Sequence, residues 1–174
     1  MFFFLYLKGL INVPNLNKEL FSSKKQDWET PLNLFEKLNE IFNFNLDVCA
    51  IPETEKCKKY FTPEIDGLSQ EWYGTCWMNP PYNRYQVNWI KKASEEVIKH
   101  NSIVVCLIPA RPDTKVWHNI IFKNADTICF LKGRLKFSNS KESAPFPSAI
   151  VIFGKISFKQ RNALEELGKI FKIA

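Results

Sequence analysis

Between Ser102 and Ile108 the chain runs through six consecutive apolar residues, most of them β-branched. Such a run is expected of a strand buried on both faces. Shorter apolar segments at Thr75–Met78, 127–131 and 148–153 also predict strands, and a short one is expected over 44–49. Between them lie stripes at helical spacing: Leu34, Phe35, Leu38, Ile41 and Phe42; then Trp89, Ile90, Ala93, Val97 and Ile98; then Val116, Trp117, Ile120 and Ile121. Leu164, Leu167 and Ile170 predict a closing helix over 160–171. Helices alternating with buried strands imply an α/β protein with an open, mostly parallel sheet covered by helices on both faces. Ligands bind such sheets outside the carboxyl ends of the strands. Asp47, residues 79–82 and residues 109–111 all fall at ends of that kind.

Local punctuation agrees with this order. Thr30 offers a hydroxyl N-cap and Pro31 a first helical residue for the helix that follows. A turn occupies 63–67, after a second short strand at Tyr60 and Phe61, and a polar loop occupies 22–26. Residues 1–13 are apolar but too short to span a bilayer, and they lack the charged leader of a secretory signal. The expected organisation is an N-terminal extension over 1–26 and a single domain over 27–174.

The net charge of +6 and isoelectric point near 9.0 permit a polyanionic partner without requiring one. Five cysteines and two histidines show no zinc-site spacing, so no metal is expected, and the odd, unpaired cysteines suit a reducing cytosol. Cys76, Cys106 and Cys129 sit in strand-like runs as small hydrophobes. No membrane association is expected.

The segment with the most chemical content is Asn79-Pro80-Pro81-Tyr82, directly after a strand. A planar exocyclic amine, such as that of a nucleobase, is a poor nucleophile because its lone pair is delocalised into the ring. Two acceptors at its hydrogens, the Asn79 side-chain oxygen and the Pro80 carbonyl, would draw the lone pair out of conjugation and aim it. The prolines keep that carbonyl out of any helical ladder. Tyr82 supplies an aromatic face for a base swung out of a duplex.

Other motifs occur around it in a fixed order. They are Trp28-Glu29-Thr30-Pro31, Leu46-Asp47-Val48-Cys49-Ala50, Asp66-Gly67-Leu68, Pro109-Ala110-Arg111-Pro112-Asp113-Thr114, Gly133-Arg134-Leu135-Lys136-Phe137 and Ala144-Pro145-Phe146-Pro147-Ser148-Ala149. Together the series, over about 27–153, resembles the phage-type, Dam-like DNA N6-adenine methyltransferases. The resemblance implies the methyltransferase version of the doubly wound fold, S-adenosylmethionine as donor, and N6 of adenine in double-stranded DNA as acceptor. It implies catalytic roles for Asn79, Pro80, Pro81 and Tyr82. Cofactor contacts are implied for Trp28, Thr30, Pro31, Asp47, Ala50, Asp66 and Leu68, with Thr30-Pro31 near the methionine moiety and Asp66 and Leu68 near the adenine.

One departure is that no glycine follows Asp47, where many cofactor-binding α/β domains carry a glycine-rich loop. Cys49 and Ala50 are the small residues at that place. Arg84, Arg111, Arg134 and Lys136 are the candidate DNA contacts, and target specificity is expected from loops such as 83–87 and 138–144. An Arg111–Asp113 surface pair and a solvated strand edge at Arg134 and Lys136 are equal alternatives. For Asp66-Gly67 an ordinary turn is nearly as strong a reading as a cofactor contact. The same tetrapeptide chemistry also suits an amine in RNA or a protein glutamine amide, and a catalytically silent DNA-binding module is a third reading.

Overall fold

The computed structural model describes residues 27–173, so the expectations for residues 1–26 lie outside it. Six strands form one sheet: β1 (Leu46–Asp47), β2 (Thr75–Met78), β3 (Ile103–Pro109), β4 (Thr127–Leu131), β5 (Ser148–Phe153) and β6 (Gly168–Lys172). Their spatial order is β1-β2-β3-β5-β4-β6. β1, β2 and β3 pair in parallel, whereas β5 runs antiparallel to both β3 and β4, and β6 antiparallel to β4. The sheet is therefore mixed, not mostly parallel. The carboxyl ends of β1 to β4 nevertheless share one edge, because β3 and β4 both oppose β5.

Strict alternation along the strands explains how such apolar segments are buried. Cys76, Met78, Val104, Cys106, Ile108, Ile128, Ala149, Val151 and Phe153 enter one cluster, while Trp77, Val105, Leu107, Cys129, Ile150 and Ile152 enter another. Successive side chains of a strand point to opposite faces, so these clusters occupy the two sides of the sheet. Helix α1 (Leu32–Phe42) covers the second face with Leu34, Phe35, Leu38 and Phe42. Helix α2 (Gln86–His100) covers the first with Ile90 and Ala93, beside Trp117 and Ile121. All five cysteines are free thiols, and Cys57, Cys76, Cys106 and Cys129 are buried.

Several local expectations change. The α1 cap is Pro31, whose carbonyl accepts from the Leu34 and Phe35 N–H groups; Thr30 makes no capping bond. The stripe after residue 113 becomes a π-helical turn, Trp117–Ile121, running into a short helix α3, Phe122–Asn124. Tyr60 contributes one bridge to Asp47, not a strand.

The closing helix is limited to α4 (Phe158–Ala163) and a 3-10 turn, Leu164–Glu166. The chain then extends as β6 because β4 has an open edge, and an edge strand satisfies both backbones. Gly168 makes that approach possible: a Cβ there would lie 2.0 Å from the Phe130 carbonyl oxygen.

The irregular connection between β1 and β2 is anchored from α2. Buried Glu96 accepts from the Trp72 N–H at 2.8 Å and pairs with Lys92 at 2.9 Å, while the Trp72 indole donates to the Gly67 carbonyl. These bonds seat the Asp66-Gly67 turn against the end of β1, where a Gly67 Cβ would come within 2.1 Å of the Val48 carbonyl oxygen.

Candidate active site

The carboxyl-end edge of the sheet opens into a cavity of about 550 Å³. That lies within the roughly 300–1,000 Å³ range of small-molecule sites. Its wall draws on the strap before α1 (Trp28, Glu29, Thr30), the end of β1 and its loop (Asp47, Cys49, Ala50, Lys56), the Asp66-Gly67 turn, and Asn79, Pro80 and Pro81. Residues far apart in the chain meet here because the parallel strands β1 and β2 end side by side and the strap before α1 crosses beside them.

Asp47 closes β1 and is only 2% exposed. Its oxygens accept from the Cys49 N–H at 3.3 Å and the Lys56 N–H at 3.2 Å. Burial pushes its carboxyl up to about 6, against the pull of those two donors and of the Lys56 charge. The Lys56 ammonium meets the Glu29 carboxylate at 3.5 Å, joining the strap to the β1 loop. Ala50, in the place of the missing glycine, is buried against the cavity, and burial raises the Cys49 thiol well above its ordinary range. Asp66 has a positive φ of 54° and accepts from the Leu68 N–H at 3.2 Å. It is thus both an ordinary turn residue and a cavity residue.

Asn79 has the most telling geometry. Its side-chain nitrogen donates to the Trp28 carbonyl at 2.6 Å and to the Thr30 hydroxyl at 3.0 Å. A carbonyl can only accept, so the atom facing it must be the NH2 group, and the amide orientation is fixed. The amide oxygen is buried and has no partner among the described residues. Buried acceptors are nearly always satisfied in folded proteins, so an exception at a cavity points to a ligand donor.

Tyr82 does not line the cavity. Its hydroxyl donates to the Leu107 carbonyl at 3.3 Å, and its ring meets Phe137 and Phe146 edge-on. Trp28 completes this aromatic group, 5.1 Å from Phe137 and 5.2 Å from Phe146 between ring centroids. Of the residues expected at the cofactor, Trp28, Thr30, Asp47, Ala50 and Asp66 line the cavity; Pro31 and Leu68 do not. Pro31 is spent on the helix start, and the Leu68 backbone N–H is spent on the Asp66 carboxylate. Arg84, Arg111, Arg134 and Lys136 are exposed. Arg84 lies over the Tyr85 ring at 4.7 Å and donates to its hydroxyl. Arg111 follows β3, and Arg134 and Lys136 follow β4, so all three lie beyond strand ends on the carboxyl-end edge of the sheet. Among the described residues, no ion pair joins Arg111 to Asp113.

Glu29, Lys56 and Asn139 also reach the cavity. Glu29 lies within the Trp28–Pro31 motif and Asn139 in the loop 138–144, but the sequence singles out neither residue, and Lys56 carries no signal in the sequence.

Fold and site together define an α/β enzyme whose ligands meet at the carboxyl ends of adjacent strands. Comparison with known proteins makes the assignment specific. The family model for DNA N-6-adenine-methyltransferase (Dam) matches residues 17–169, and the chain belongs to that family. The match begins inside the segment expected to be an extension. The chain is 35% identical over 127 residues to the DNA N-6-adenine-methyltransferase of Haemophilus phage HP1 (strain HP1c1), covering 69% of this chain and 72% of that protein. It is 31% identical over 112 residues to the DNA N-6-adenine-methyltransferase of Escherichia phage T1, covering 62% of this chain and 45% of that protein.

Proposed function

We propose that the protein transfers a methyl group from S-adenosylmethionine to N6 of adenine in double-stranded DNA, within one methyltransferase-type, doubly wound domain over 27–174. The observation that carries this reading is Asn79 in the cavity wall, its amide nitrogen held by Trp28 and Thr30 and its buried oxygen without a partner among the described residues. A methyltransferase needs a place for a methyl donor, and the cavity fits one: it is ligand-sized, with a tryptophan, a buried carboxylate and small residues in its wall. Trp28, Asp47, Ala50 and Asp66 would hold the donor, with Asp47 suited to an ammonium or to ribose hydroxyls. When bound, S-adenosylmethionine supplies an electrophilic methyl group on a sulfonium.

The chain's own residues do the aiming. The Asn79 oxygen accepts one N6 hydrogen, and the Pro80 carbonyl, kept out of helical pairing by two prolines, accepts the other. The amine's lone pair is thereby drawn out of conjugation and localised on N6, and positioning provides much of the rate. The Tyr82 ring packs on Phe137 and Phe146 outside the cavity lining, so in this geometry it supports the tetrapeptide and does not present a stacking face. The displaced proton goes to water, and no strong base is required.

Asn79→Ala is expected to reduce kcat by at least about 100-fold, as for loss of an aimed polar group in other enzymes. Binding of S-adenosylhomocysteine, measured by calorimetry, should stay within about threefold. Full activity in the variant would remove the assigned role. Methyl label counted in competition among duplex DNA, RNA and protein extract separates this substrate from the two other planar nitrogens.

A further inference from the structure

The Thr30 hydroxyl looks, from the sequence, like a helix cap or a cofactor contact, yet it does not cap α1. Instead it accepts from Asn79 at 3.0 Å while only 2% exposed. With the Trp28 carbonyl at 2.6 Å, it uses both hydrogens of the Asn79 amide. An asparagine side chain could otherwise rotate by half a turn and present its NH2 group, a donor, where an acceptor is required. The Trp28 carbonyl, an acceptor only, forbids this, and the Thr30 hydroxyl holds the second amide hydrogen; both partners belong to the strap 28–30.

The strap is itself held from another part of the chain. The Ser138 N–H donates to the Glu29 carbonyl at 3.0 Å and the Ser138 hydroxyl to the Thr30 carbonyl at 3.2 Å. Asn139 bridges the same segments, donating to the Asp27 carbonyl at 2.9 Å and accepting from the Glu29 N–H at 3.2 Å. This turn comes directly after the exposed Arg134 and Lys136.

We propose that Thr30 is a positioning residue for methyl transfer: its hydroxyl, with the Trp28 carbonyl, locks the Asn79 amide so that its oxygen alone faces the target amine, and the Ser138-Asn139 turn holds that lock in place. The inference rests on the methyltransferase reading. Removing the hydroxyl leaves one amide hydrogen unpaired and lets the amide tilt about its one remaining bond, to the Trp28 carbonyl. The defect belongs to the aim of the acceptor, not to the affinity for either ligand.

The test compares wild type, Thr30→Val, Thr30→Ser and Asn139→Ala on one adenine-containing duplex. Each is followed by steady-state kinetics, by calorimetric binding of S-adenosylhomocysteine and by thermal melting. Thr30→Val should lower kcat by about 10- to 100-fold, the range for a misaligned reacting group. KM for DNA and affinity for S-adenosylhomocysteine should stay within about twofold. Thr30→Ser should restore most of kcat, and Asn139→Ala, at an exposed position, should show the same kcat-only defect in weaker form. A Thr30→Val enzyme with wild-type kcat overturns the proposal. So does parallel loss of kcat and cofactor affinity with an unchanged melt, since that marks a cofactor contact. If Thr30→Val does not fold, wild-type kcat in Asn139→Ala together with an inactive, folded Thr30→Ser overturns it. A wild-type protein that binds S-adenosylhomocysteine but labels no DNA sinks the DNA reading and the lock with it.

Discussion

At the scale of single residues, Asp47 makes the sharpest pH statement. Its carboxyl is held up at about 6 by burial, above its ordinary value of 3.8. A raised carboxyl favours the protonated folded form, so its contribution to stability is complete below about 4 and is lost as pH rises through about 6. Donor binding has the opposite sign if Asp47 must be ionised to meet an ammonium or ribose hydroxyls. Affinity for S-adenosylhomocysteine should fall about tenfold between pH 7 and pH 5, following one proton. Calorimetry across that range checks it, and a flat profile would show that Asp47 does not contact the ligand as an anion. Asn79 and Asp47 were both legible as candidate site residues, because each is a polar residue at the end of an apolar strand, and the structure places both in the cavity wall. Tyr82 was legible only in part: its identity suggests a stacking face, but the partners that seat its ring, Phe137 and Phe146, lie more than fifty residues away.

At the scale of elements, β6 is the clearest departure from the periodic pattern. Leu164, Leu167 and Ile170 fit one helical face, yet helix ends at Ala163 and the chain is a strand from Gly168. Local periodicity describes what a segment can do alone; the open edge of β4 decides what it does in the fold. Gly168→Ala tests the register directly. The added methyl would meet the Phe130 carbonyl and, 2.9 Å away, the Leu131 Cα, both backbone and unable to yield cheaply. The variant should lose about 1–3 kcal/mol in urea unfolding, the usual cost of overpacking. Methylation by the protein that remains folded should be nearly unchanged, since β6 is at the far edge of the sheet from β1. Wild-type stability would mean that β6 does not pair as described.

At the scale of the molecule, charge and topology act together. Arg111, Arg134 and Lys136 follow strands whose ends lie on the carboxyl-end edge of the sheet, and Arg84 follows the tetrapeptide. If these four meet phosphates, replacing them with alanine should flatten the dependence of log affinity on log salt by about 0.9 for each phosphate no longer neutralised. Filter binding of duplex DNA across salt concentrations measures that slope. An unchanged slope would move the DNA surface elsewhere.

By itself the sequence determined which segments must be buried and which residue types stand at strand ends, because hydrophobic periodicity and proline geometry are local properties. It also carried the family, through motifs in a fixed order. Only the tertiary structure decided that the sheet is mixed, that the last apolar segment is an edge strand, and that Thr30 serves Asn79 and not the helix beside it. Those outcomes depend on which backbone or side-chain groups remain unpaired once distant segments pack together, and no local pattern records that competition.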